Sequence, residues 1–127
     1  MMSNAPVGRS FDEMVQARVG RETAFAEALL QMAVQEMLAG DLDVARSLIR
    51  DVIKGSIGYA ELSQRTGTPE KSLVRMFGPS GNPTAANIFS VLAQLQRANG
   101  VSLQVKSVRA QGMPSVKPKA GSARRAA

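Results

Sequence analysis

The chain has 127 residues, room for one domain with tails, and contains no Cys, no His and no Trp. The lack of Cys and His excludes disulfides, thiol nucleophiles, imidazole bases and the usual zinc ligands, so no metal or cofactor site is expected and an enzyme is disfavoured. The net charge of +6 resides in residues 106–127 (Lys106, Arg109, Lys117, Lys119, Arg124 and Arg125), while residues 1–54 sum to −2 and residues 55–105 to +2.

Residues 1–9 read as a disordered start. Ser10 has the position of an N-cap, with Glu13 as its capping-box partner. A first helix is expected from Phe11 to Val19, which Gly20 interrupts or ends. Arg21 to Ala39 is the longest helical pattern, with Gly40 as its C-cap. Phe25, Ala28, Leu29 and Met32 share one face there, and Leu30, Val34, Met37 and Leu38 lie roughly opposite. Two apolar stripes fit either a central core helix or a helix whose second face meets another chain.

Asp41 or Asp43 can cap the next helix, Leu42 to Lys54, whose stripe is Ala45, Leu48, Ile49, Val52 and Ile53 and which Gly55 stops. Arg46 and Arg50 read as solvated charges on its polar side. Two short helices follow, Tyr59 to Thr66 and Pro69 to Phe77, separated by Gly67 and Thr68. Thr68 is expected to cap the second, with Pro69 at its first helical position. After the loop Gly78–Pro83, Thr84 caps a helix to Asn99 that turns Ile88, Val91, Leu92 and Leu95 inward, and Gly100 ends it. Val101, Leu103 and Val105 alternate with polar residues as in a short strand, which must pair with another copy, lie on the helices or be merely extended. Residues 107–127 read as a basic disordered tail.

The expected fold is therefore all-α: a compact bundle of about five helices over residues 10–106, with residues 101–105 as a candidate strand at a dimer interface. No apolar run approaches the roughly 20 residues that span a bilayer. No signal peptide is evident either, so a soluble cytoplasmic protein is expected.

Residues 59–77 meet the demands of a helix-turn-helix that reads double-stranded DNA. Leu62 anchors inward, Ser63 is small where the helices cross, and Gly67 tolerates the turn. Leu73, Met76 and Phe77 face inward. Glu70, Lys71, Ser72 and Arg75 are left outward as base readers, Arg75 suiting the guanine edge. Glu70 can accept from cytosine or merely match the helix dipole; the second is favoured. Gln64, Arg65, Thr68 and Asn82 are candidate phosphate contacts.

The Thr66-Gly67 turn, Lys71-Ser72-Leu73, and the Gly81-Asn82-Pro83-Thr84 loop before the last helix resemble the addiction-module antidote family, the HigA-like antitoxins of the lambda-repressor-like helix-turn-helix group. The resemblance runs from Ile53 to Val105 and more weakly upstream to Phe25. Many relatives have Ala where this chain has Ser63 and Ser where it has Pro69, and the tail after Lys106 lies outside the family pattern. What the resemblance implies is a homodimeric repressor that neutralises a small ribonuclease-type toxin and represses its own operon. Residues 101–105 with the C-terminal helix, then the outer face of residues 30–38, are the candidate dimer surfaces. Partner binding without DNA and general nucleic-acid binding through the tail are the alternatives.

Overall fold

A computed structural model describes residues 10–110; the expected disorder of residues 1–9 and of the tail beyond residue 110 lies outside the described residues. The described chain is a compact all-helical bundle of α1 (Phe11–Arg21), α2 (Thr23–Leu38), α3 (Leu42–Gly55), α4 (Gly58–Thr66), α5 (Glu70–Met76) and α6 (Ala85–Asn99). Its core holds one aromatic ring, Phe77, among Leu, Ile, Val and Ala side chains.

α1 starts as its sequence directs. The Ser10 hydroxyl accepts from the Glu13 N–H at 3.0 Å, and the Glu13 carboxylate accepts from the Ser10 N–H at 3.1 Å. Gly20 does not end it, however. The helix runs to Arg21 and breaks at extended Glu22, with φ −129°. Gly20 lies instead where α1 crosses α3: a Cβ there would sit 3.1 Å from the Gly55 carbonyl oxygen. Gly55 likewise does not stop α3 but is its last residue. A Cβ on Gly55 would come within 2.5 Å of the Gln16 carbonyl oxygen and 2.7 Å of the Val19 Cβ. Both glycines permit close helix packing.

α2 turns a single stripe inward, Ala26, Leu29, Leu30 and Ala33, and packs most extensively against α3. Of the row Phe25, Ala28, Leu29 and Met32, only Leu29 is fully buried: Ala28 is exposed and Met32 is 46% exposed. With Leu29 from one apolar row, Leu30 from the other, and Ala26 and Ala33 from neither, the buried stripe runs between the two rows. α3 is capped by Asp41, which accepts from the Val44 N–H at 3.2 Å, and it buries Ala45, Ile49, Val52 and Ile53 as its pattern requires.

α6 matches its expected bounds. Thr84 accepts from the Asn87 N–H at 3.1 Å; Ile88, Val91, Leu92 and Leu95 are buried; Gly100 closes the helix. Beyond it no strand forms among the described residues. Val101 and Leu103 lie against the helical core, and the Leu103 N–H donates to the Gln96 side-chain carbonyl at 2.8 Å. A backbone donor a ladder would use is thereby spent on α6, so the segment lies on the helices.

Candidate nucleic-acid interface

α4 ends at Gly67, whose φ of 79° is left-handed and reverses the chain. Three side-chain and backbone bonds close the turn. The Ser63 hydroxyl donates to the Thr68 carbonyl at 2.6 Å, the Thr66 hydroxyl donates to the Leu62 carbonyl at 2.9 Å, and the Thr68 N–H donates to the Thr66 hydroxyl at 3.2 Å. Ser63 therefore does more than save space at the crossing: its hydroxyl ties α4 to the turn, which an Ala there could not do.

Thr68 is not the cap of α5. Pro69 occupies the N-cap position, with φ −57° and ψ 142°, and no side chain caps the helix. A residue before proline is pushed towards extended geometry, so Thr68 stays outside and the helix begins one residue later, at Glu70. Thr68 is half-buried and its carbonyl is already engaged by Ser63, which leaves it poorly placed for phosphate.

α5 packs against only one other helix, α4, among the described residues. It is held by Leu73 and Phe77, both fully buried, and by half-buried Met76. The opposite side carries Lys71, Val74 and Arg75 at i, i+3 and i+4, all exposed. With Glu70 they line one shallow surface depression. Ser72 stands half-buried at the flank of that face. The ion pairs of the described residues engage Arg18, Arg46, Arg50 and Arg65, and leave Lys71 and Arg75 free.

Gln64 is exposed on α4, and Asn82 is exposed in the loop after α5. Arg65 is committed: its Nε donates to the Glu61 carboxylate at 2.9 Å, one turn earlier. Arg65 would be free for a phosphate only if that pair opened. The loop carrying Asn82 is fixed from below by Arg46, which donates to the Gly81 and Pro79 carbonyls, each at 3.0 Å, and to Asp43 at 2.9 Å. With its side chain 11% exposed, Arg46 is a structural pin and not the solvated charge expected. Any Cβ on Gly81 would collide with the Met76 carbonyl, so this loop seats tightly against the end of α5. Arg50 is also engaged, donating to Asp12 and to Ser47, each at 3.3 Å.

Two groups near the start of α4 have shifted acidity. Burial pushes the Asp51 carboxyl above its usual range, opposed by a 2.9 Å hydrogen bond from the Gln16 amide and reinforced by the charge of Asp12. Burial also pushes the Tyr59 phenol up to about 12, with Arg50 lowering and Asp51 raising it, so it stays protonated at neutral pH. No cluster able to hold a metal ion occurs among the described residues, and none of their helices is long and apolar enough to cross a membrane.

Sequence reasoning missed Val74, the Ser63 hydroxyl and the pinning role of Arg46. Val74 was legible in principle, because an inward set of Leu73, Met76 and Phe77 leaves it on the other side. No protein-family model, curated protein or solved structure matches this chain.

Proposed function

We propose that the chain is a sequence-specific DNA-binding repressor, in which α4, the turn at residues 67–69 and α5 act as a helix-turn-helix and α5 enters the major groove. The observation that carries this reading is the division of α5. One side is locked by Leu73 and Phe77, and the other presents Lys71, Val74 and Arg75 exposed and without ionic partners. Charges kept out of ion pairs on a short, well-anchored helix are available to phosphates and base edges. Arg75 is assigned to guanine, Lys71 and Ser72 to base edges or phosphates, and Glu70 to the helix dipole. Gln64 and Asn82 are the phosphate contacts closest to hand, with Arg65 joining on release from Glu61.

One such helix makes few contacts, so the proposal includes pairing of two copies on a two-fold related site. Exposed Phe89 on α6 and Val105 beyond it suit that contact. The toxin partner and the repressor role of an antitoxin rest on the family resemblance, and a cytoplasmic setting is proposed with that role. A non-enzymatic role is supported by a sequence without His or Cys.

Repeated selection of a randomised DNA duplex library on the full chain tests this reading. Enrichment of a common two-fold related motif, with affinity falling steeply as salt rises, supports it. Weak, salt-sensitive binding without enrichment selects the general binder driven by residues 106–127. A folded chain that binds no duplex selects partner binding alone.

A further inference from the structure

We infer that Val74 is a specificity-determining residue that reads the C5 methyl group of a thymine. The inference rests on the reading of α5 as the helix that enters the major groove. Val74 lies between Lys71 and Arg75 on the outward side of that helix and is 46% exposed, whereas Leu73 beside it is 1% exposed. Its side chain lines the same depression as Glu70, Lys71 and Arg75. The core does not use it: Val74 is absent from the cluster of buried and partly buried apolar residues, which takes Leu73, Met76 and Phe77 from this stretch.

The chemistry of the groove selects the ligand. Phosphates and most base edges offer donors and acceptors, which a valine cannot meet. The thymine methyl is the one apolar group that unmodified B-DNA presents in the major groove. Burying two methyl-bearing surfaces against each other is favourable, whereas burying the Val74 methyls against a polar edge strands that edge. Valine also suits the task sterically. Its β-branch leaves one strongly preferred side-chain rotamer in a helix, so its two methyls are held in place before DNA arrives. Lys71, one turn before, and Arg75, the next residue, bring the charge that draws the helix in, and Val74 supplies discrimination that charge alone does not.

The test is a double substitution cycle on the full chain, with a duplex enriched from the randomised library. Each thymine in a half-site is replaced in turn by deoxyuridine, which removes only the methyl and keeps the base pair. The duplex holds no methylated cytosine, so thymine is its only source of that group. For the natural chain, one thymine per half-site should show a loss on the order of fourfold on replacement, the worth of about one buried methylene-sized group. Val74→Ser should bind the thymine duplex correspondingly more weakly and show no further loss with deoxyuridine at that position. Its unfolding midpoint should stay close to that of the natural chain, since the site is exposed. If a motif is enriched but no thymine replacement distinguishes the natural chain from Val74→Ser, the assignment of Val74 is overturned while DNA reading by α5 stands. A motif with no thymine in its half-site overturns it equally. If no motif is enriched at all, the DNA reading itself falls, and this assignment with it.

Discussion

Among the described residues Asp51 is the one charged residue that is buried, 5% exposed, and its carboxylate accepts one hydrogen bond from them, from the Gln16 amide at 2.9 Å. Burial raises its pKa above the ordinary 3.8, Asp12 on α1 raises it further, and Arg50 and Lys54 on its own helix pull it back. Tyr59 of α4 faces the same region as a neutral phenol. A carboxyl whose folded pKa exceeds its unfolded one contributes stability that is full below the unfolded value and is lost as pH rises through the folded value. Above the folded value the ionised Asp51 therefore costs stability. Asp51→Asn keeps an acceptor for Gln16 and removes the charge, so it should raise the denaturant midpoint at pH 7. It should also remove the contribution of this one carboxyl to the pH dependence of stability. A lower midpoint at pH 7 would mean that the carboxylate itself is needed. Arg46 shows a different limit of local reading. Spacing placed it on the polar side of α3, yet the loop Gly78–Pro83 folds over that side and its carbonyls engage the guanidinium. Long-range partners of this kind leave no periodic mark in a sequence.

At the scale of elements, the parts with local causes were readable. Capping chemistry set the start of α1 at Ser10 and of α6 at Thr84, and inward spacing named Leu62, Leu73, Ile88 and Leu95 correctly. The parts decided by neighbours were not. Gly20 and Gly55 read as stops because glycine disfavours helix, but both stay helical where α1 crosses α3. Two apolar rows on α2 could not announce that the buried stripe would run between them, through Ala26 and Ala33. Residues 101–105 alternate like a strand but settle on α6. At the candidate interface the outward set Glu70, Lys71 and Arg75 was legible, whereas Thr68 was misplaced by one position through the effect of Pro69. The crossing supplies a prediction of clear sign. A helical Gly→Ala change ordinarily stabilises by about 0.5–1 kcal/mol. Gly55→Ala should instead destabilise by about 1–3 kcal/mol in urea unfolding, because its Cβ meets backbone as well as Val19. A stabilised variant would show that α1 does not approach α3 so closely.

For the whole molecule, the proposed function divides charge between reading and attraction. Residues 55–105 hold a local excess of +2, and residues 106–127 hold all six charges of the net +6. Removal of residues 107–127 takes away Arg109, Lys117, Lys119, Arg124 and Arg125 and no acidic residue, and leaves every helix of the described residues intact. Binding to all duplexes should weaken together, and the slope of log affinity against log salt should become shallower by up to about 0.9 for each phosphate that the truncated chain no longer neutralises. Weaker preference among sequences with an unchanged salt slope would make the tail a reader.

The central claim is that α5 meets DNA through the face opposite Leu73 and Phe77. Its most direct test compares the natural chain with Arg75→Ala on an enriched duplex and on a scrambled one, with equilibrium unfolding measured in parallel. Arg75 is exposed and makes no ion pair among the described residues. Its removal should therefore shift stability by no more than about 0.5 kcal/mol. It should cost about 1–3 kcal/mol on the enriched duplex and much less on the scrambled one. Unchanged affinity for both duplexes, in a variant as stable as the natural chain, would contradict the account and leave residues 59–77 as a structural corner.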